Sequence, residues 1–461
     1  MKLRAQMLNE LNDKKALIKA KNYAFEYIDT TDEKRIYPSE KEINALQAFH
    51  EDLNQNPCSG EEIIEFLAKV GTKGTITQTG GRYFGFVNGG IIPAALSAKW
   101  LADVWDQCGG LYLTSPINAE LEMVCEHWLK DLLGLPKVTI AGFVSGTSMA
   151  NLSALAAARH QLLKNRDWDI SKKGFNGAPK IRIITHDQVH ASIKKTLVLL
   201  GFGICDIEWV PSDDQGRVIV SELPELDDTC LVLLQAGNAN TGAFDNFNAV
   251  CDLANKAGAW VHIDGAFGLW AAATDKLSYL TNGIAKASSW AVDGHKTLNT
   301  PYDSGIVLCR HPQALLGALQ ATGEYIIYSD RKDPLLSTPE LSKRSRAIEL
   351  WATMKFLGKR GIDELITGFH EYACKMAKEL EKMGYILLNA VVFNQILVRS
   401  SSDEKTNAII KYVQESGVCW VGGTYWHNST AIRISICSWR TSDMDIDRSI
   451  KVFKEALLSV T

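Results

Sequence analysis

Two segments of this 461-residue chain could do chemistry together: Trp260-Val-His-Ile-Asp264-Gly-Ala266 and Ser289-Trp-Ala-Val-Asp-Gly-His295-Lys296-Thr297. A carboxylate closes one apolar run, and a lysine follows just past the next. Binding of pyridoxal phosphate (PLP) needs that pair. The lysine amine takes the cofactor aldehyde as a Schiff base, and the carboxylate holds a proton on the pyridine nitrogen so that the ring accepts carbanion electrons. A lone lysine is ordinarily a solvated charge; Gly294, the apolar run before it and Asp264 upstream argue for a loop edge at a site. Asp264 also suits the N-cap of a helix over 265–270, and His262 either orients it or is a satisfied core histidine.

Two further stretches fit the same chemistry. Gly146-Thr147-Ser148 precedes the helix-forming run Met149–Arg159. Free N–H groups and hydroxyls at a helix start bind a phosphate, although Thr and Ser are also common caps. His190 lies between an apolar run and a helical one, where its ring either stacks on the pyridine face or is structural. The ten cysteines form no CxxC, and Cys125 with His127 is a close Cys/His pair without further Cys or His in its segment, so reduced thiols and no metal site are expected.

These residues need a scaffold. Runs at 180–185, 231–236, 260–264, 288–293 and 305–310 alternate with helical stretches, which predicts an α/β sheet covered on both faces with the ligand site at the strand carboxyl ends. Asp264, Lys296 and the 238–241 segment fall at such ends. Residues 1–80 read as short amphipathic helices, 81–345 as the large α/β domain, and 346–461 as a smaller α+β domain. The last begins with a helical stretch from Ala347 to Ile366, continued from Gly368 to Met383, and has strands at 395–399 and 431–437.

The order Gly-Thr-Ser, His186-Asp-Gln-Val-His190-Ala-Ser, Gly237-Asn-Ala-Asn-Thr241-Gly-Ala-Phe-Asp, His-Ile-Asp-Gly-Ala and Asp-Gly-His-Lys resembles the group II PLP-dependent amino-acid decarboxylases, relatives of aromatic L-amino-acid and glutamate decarboxylases. The resemblance runs from Tyr37-Pro38 to Ala431–Ser435 and implies the type I aminotransferase-like fold and a homodimer. It also implies roles. Lys296 is the Schiff-base lysine beside His295, Asp264 the pyridinium partner and His190 the stacking ring; Thr147 and Ser148 hold the phosphate, while Thr241 and Ala266 lie near the ring. Tyr325, with Tyr328 as second choice, is the loop tyrosine that reprotonates Cα. Asp293-Gly294 replaces the family's common Asn-Pro, in the manner of a divergent bacterial member, so no phosphate contact is carried to residue 293.

Substrate choice is expected from Arg82-Tyr83-Phe84-Gly85-Phe86 and from 105–112. Aromatic walls favour an aromatic amino acid, whereas Arg82, if it faced the pocket rather than solvent, would suit an acidic one. A retro-aldol lyase or aldehyde synthase on the same fold, and a non-catalytic PLP-binding protein, are the other readings. A net charge of −4 gives no reason to expect nucleic acid or an anionic membrane as partner. Early charges (Asn12-Asp13-Lys14-Lys15) and the lack of a run of roughly 18 apolar residues point to a cytoplasmic protein.

Overall fold

A computed structural model of the chain describes residues 2–460 apart from 322 and 325. The apolar runs of the middle of the chain assemble into one seven-stranded sheet: β1 (Ile140–Val144), β2 (Arg182–His186), β3 (Ile207–Val210), β4 (Cys230–Gln235), β5 (Trp260–Asp264), β6 (Ser289–Asp293) and β7 (Gly305–Cys309). Across the sheet the order is β1-β7-β6-β5-β4-β2-β3, parallel from β3 to β6, with β7 antiparallel to both neighbours. The mostly parallel α/β sheet of fold type I expected from the sequence is thus present.

Strands β4 to β7 are buried throughout because both faces are covered. Val232, Leu234, Val261, Ile263, Trp290 and Val292 point into one core, and Leu231, Leu233, Trp260, Ala291 and Val307 into the other. The second core holds the helix Thr147–Lys164, whose Ala150, Ala154, Ala157 and Ala158 let it lie close to the sheet. The sequence pattern missed β1 and β3. β1 is interrupted by Gly142, where a Cβ would lie 2.1 Å from the Ser337 carbonyl oxygen; β3, Ile-Glu-Trp-Val, is a short edge strand with half-exposed positions.

A second sheet contains β8 (Ile386–Leu387), β9 (Gln395–Arg399), β10 (Gly422–Trp426) and β11 (Ser429–Ser435), antiparallel in the order β10-β11-β9-β8. The two sheets are linked through the helix Ala347–Lys382. Its break is at Gly358 (φ 60°, ψ −179°), not at residue 367 as the sequence suggested, because that backbone region is open essentially to glycine alone. Gly368 continues as helix. Leu350, Met354, Ile362 and Ile366 belong to the large sheet's core, whereas Phe369, Ala373 and Met376 belong to the small one. The core therefore changes hands inside the helix, after the 346 division read from the sequence.

Helices Lys2–Asp13, Lys15–Asp29, Glu40–Ala45 and Gly60–Phe66 precede the sheets and leave Leu3, Met7, Leu11, Leu17, Ile18 and Phe25 exposed. Arg35 ties this region to the small domain through the Glu415 carbonyl (2.9 Å). Among the described residues no helix is long and apolar enough to cross a membrane.

Candidate active site

The carboxyl ends of β4, β5 and β6 and the start of the Thr147–Lys164 helix open onto one cleft of about 450 Å³. Thr147, Ser148, His190, Asp264, Ala266, His295, Lys296 and Phe86 line it, so one surface brings together residues spread over more than 200 positions of sequence. Two tight approaches fix the cleft's walls. A Cβ on Gly305 would lie 2.3 Å from the Gly146 Cα, and one on Gly89 would lie 2.1 Å from the Lys296 carbonyl oxygen. Strand β7 thereby presses on the turn that opens the helix, and the 86–90 segment presses on the lysine loop.

Lys296 Nζ is 3.0 Å from Asp293 Oδ2, and Asp293 Oδ1 accepts the Thr147 N–H at 2.7 Å. Asp293 is thus a bridge between the lysine and the helix start. Beside it, His295 stacks on Tyr302 (centroids 4.2 Å apart) and its Nδ1 accepts the Ser304 N–H. Burial, above all, lowers the His295 pKa. His190 caps the helix Ala191–Leu199, with Nδ1 accepting the Ser192 N–H at 3.2 Å. Desolvation lowers its pKa, Lys296 and Arg433 add to the shift, and Asp264 and Asp293 oppose it, a balance that favours the neutral imidazole.

Asp264 ends β5 and accepts from Asn151 Nδ2 (3.0 Å) and from the Ala266 N–H (3.1 Å). It does not cap the following turn, Gly268–Ala273, which begins from Phe267 without a side-chain cap. His262 reaches it indirectly: its Nε2 is 2.9 Å from Asn151 Oδ1.

Several expected residues lie elsewhere. Arg82 neither faces solvent nor lines the cleft; its guanidinium is buried, bonded to the Val418 and Asp32 carbonyls (2.6 and 2.7 Å) and 3.3 Å from Asp445 Oδ1. A buried guanidinium needs such acceptors, and they come from the N-terminal region and the small domain. Phe84 is packed in the small domain's core. Tyr83 stacks on Trp420 (5.2 Å), which in turn stacks on Phe86 (5.9 Å), so Tyr83 backs the wall that Phe86 forms. Trp105 and Tyr112 do not line the cleft; Tyr112 accepts from Arg331. Thr241 is buried in the 238–243 turn, donating to the Gln215 carbonyl at 2.6 Å, and Ala239 lines the cleft in its place. Tyr325 lies outside the described residues. Tyr328 is exposed, and its hydroxyl donates to the Ala321 carbonyl.

Four further residues shape the site, with weaker signals in the sequence. Asn151 sits inside an alanine-rich helix, where an amide is a flag for a buried hydrogen bond. Arg433 interrupts the apolar β11, lies 5.9 Å from the Phe86 ring and donates to the Ala239 carbonyl (3.2 Å); its Nε has no partner among the described residues. Gln235 closes β4 at the cleft. Asn299, at φ 58°, is fully buried. Its Nδ2 donates to the carbonyls of Lys296, Thr297 and Cys437, and its Oδ1 accepts the N–H groups of Gly90 and Trp439.

This donor set fits PLP. Thr147 Oγ1 is buried without a partner among the described residues at a helix N-terminus suited to a phosphate, an amine stands near the other wall, and a carboxylate that accepts two hydrogen bonds remains open to the cleft. Residues 43–395 match the pyridoxal-dependent decarboxylase conserved domain. An aromatic-L-amino-acid decarboxylase of Bacillus atrophaeus is 30% identical over 421 residues, spanning 85% of this chain and 84% of that protein. The acidic amino acid decarboxylase GADL1 of Xenopus tropicalis is 26% identical over 354 residues, 73% and 68% of the two chains. Crystal structures of Oryza sativa TDC with PLP and tryptamine (TM-score 0.90, 19% identity, 98% of each chain) and of mouse CSAD in apo form (TM-score 0.87, 20% identity, 97% of this chain and 99% of that one) share the fold. With its cleft chemistry and its sequence in agreement, the chain belongs to the pyridoxal-dependent decarboxylase family and is a PLP-dependent carboxy-lyase.

Proposed function

We propose that this enzyme decarboxylates an aromatic L-amino acid to the amine and CO₂. The observation that carries the substrate class is the cation inventory of the cleft. Among the described residues that line it, Arg433 is the single arginine, set beside Phe86, Val87, Met149 and Phe267. One guanidinium serves the carboxylate common to all amino acids, and with Arg82 committed elsewhere a second, side-chain carboxylate lacks an arginine of its own. The Bacillus relative's substrate class agrees with this reading.

PLP, when bound, would supply an electron sink for the bond broken at Cα. Lys296 is the residue whose amine would hold the cofactor. Asp264 would pair with the ring nitrogen and favour its protonated form, and the His190 imidazole would stand against the ring face. The N–H groups and hydroxyls of Thr147 and Ser148 take the phosphate, with Ala266 and His295 completing the walls. Arg433 orients the substrate carboxylate, which decides that CO₂ leaves. Tyr325 then supplies the proton to Cα, with Tyr328 as second choice. All ten cysteines are free, which supports a reducing, cytoplasmic setting, and the apolar residues exposed on the first two helices support a homodimer.

The test is a panel of amino acids assayed for CO₂ and for the amine, with aldehyde measured alongside. An aromatic substrate giving equimolar CO₂ and amine is expected; turnover of glutamate, aspartate or cysteine sulfinate in preference, or aldehyde as product, refutes the assignment. Lys296→Ala must lose the borohydride-reducible link to the cofactor.

A further inference from the structure

Behind Asp264 a line of buried side chains runs along one face of β5 to its far end. Trp260, His262 and Asp264 occupy alternate positions of the strand and so share a face, against the helix that carries Asn151. Ser289, on β6, is the register partner of His262. Trp260 Nε1 donates to Ser289 Oγ at 3.0 Å, and Ser289 Oγ is 2.9 Å from His262 Nδ1. His262 Nε2 is 2.9 Å from Asn151 Oδ1, and Asn151 Nδ2 is 3.0 Å from Asp264 Oδ2. His262, Asn151 and Ser289 are wholly buried, and Trp260 and Asp264 nearly so.

The two ends fix the direction of every bond between them. An indole N–H only donates, and a carboxylate only accepts. Asn151 must therefore turn its NH₂ to Asp264 and its oxygen to His262, so His262 carries its proton on Nε2. Nδ1 is then an acceptor, which Ser289 Oγ–H fills while its lone pair takes the Trp260 N–H. Reversing any member sets two lone pairs or two hydrogens face to face. Burial depresses the His262 pKa to about 3, in keeping with a neutral ring of one tautomer.

We propose that Asn151, His262, Ser289 and Trp260 are positioning residues forming a hydrogen-bond chain of fixed polarity, which holds the carboxylate of Asp264 as an oriented acceptor for the ring nitrogen of the cofactor. The inference rests on the pairing of Asp264 with that nitrogen proposed above. The chain polarises but does not conduct. A proton relay has to reverse its bonds after each transfer, and the indole end has no acceptor state to offer. Asp264 is therefore insulated from bulk pH on its protein side.

The experiment uses the full-length enzyme loaded with PLP labelled with ¹⁵N in the ring, and reads the ¹⁵N chemical shift together with kcat and KM. The parent is expected to show a protonated ring nitrogen. His262→Phe and Ser289→Ala are expected to move the shift toward the unprotonated position, the first further than the second, and to lower kcat by about tenfold for His262→Phe while KM stays within about twofold. Ser289→Thr, which keeps the hydroxyl, is expected to restore the parent shift. Asp264→Asn separates the two readings. If it moves the shift and Ser289→Ala or a folded His262→Phe does not, the chain is overturned and the pairing stands. If Asp264→Asn itself leaves the shift unmoved, the pairing is overturned and the chain with it.

Discussion

Asn299→Ala is expected to be among the most damaging single changes outside the cleft lining. Asn299 ties three segments together: 88–90, the lysine loop at 296–299, and 437–439. Truncation orphans the N–H groups of Gly90 and Trp439, both held by Oδ1 at 2.7 and 2.9 Å. Each unpaired buried donor costs about 1.5 kcal/mol. The Lys296 carbonyl is partly spared because the Asn299 backbone N–H also reaches it at 3.0 Å. Alanine in the left-handed region adds about 1 kcal/mol that asparagine tolerates better. The total is about 4 kcal/mol, and Asn299→Gly, free of the conformational term, should lose about 3 kcal/mol. Guanidinium unfolding of the cofactor-free protein, followed by tryptophan fluorescence, measures both, and PLP titration measures the slackened lysine loop as weaker binding. A loss below about 1 kcal/mol for Asn299→Ala, or equal losses for the alanine and glycine variants, would refute the hydrogen-bond or the backbone part of the reasoning respectively.

Two other outcomes follow from buried ionisable groups. His262 has its pKa lowered to about 3 when folded, so the unfolded chain takes up the extra proton first as pH falls below the usual histidine value of about 6.5. The stability it confers is whole above that value and is lost toward pH 3 at up to about 1.4 kcal/mol per pH unit; His262→Gln should flatten that part of the stability profile relative to the parent. Arg82→Ala removes the partner of Asp445 and two carbonyl bonds and should cost about 2–3 kcal/mol in unfolding free energy, while the KM of the preferred amino acid moves less than about twofold because Arg82 lies outside the cleft.

The sheet was legible because its inner strands are covered on both faces and so read as continuous apolar runs; β5 appears in the sequence with the limits it has in the fold. The elements that escaped have weak local signals: β1 yields a position to glycine for a close backbone approach, and β3 is an edge. The helix from Ala347 was visible, but which of its glycines breaks it depends on the backbone conformation of Gly358. At the site, Lys296, Asp264 and His190 stand out because charge or imidazole follows directly on an apolar run. Arg82 and Thr241 belong to the same motifs, yet their partners, Val418, Asp32 and Gln215, are set by tertiary contacts that no spacing announces. Asn151, Arg433 and Asn299 carried a signal of another kind, a polar residue where its element is otherwise apolar or where the backbone turns left-handed.

The contact between Gly305 and Gly146 has a thermodynamic consequence. Gly305 is paired with Val144 on one side and with Asp293 on the other, so one glycine aligns the strand before the Gly146 turn, the strand before Lys296, and the turn itself. Slipping β7 by one residue would bring Ile306 or Ser304 against Gly146 and exchange the two faces of the strand. A cofactor held by residues from both strand ends would fit only the aligned sheet, and a ligand that binds one arrangement stabilises that arrangement alone. Each tenfold rise of free cofactor above its Kd adds about 1.4 kcal/mol to the correctly registered protein and nothing to a slipped one. The cofactor would thus act as a selective ligand of correct strand register.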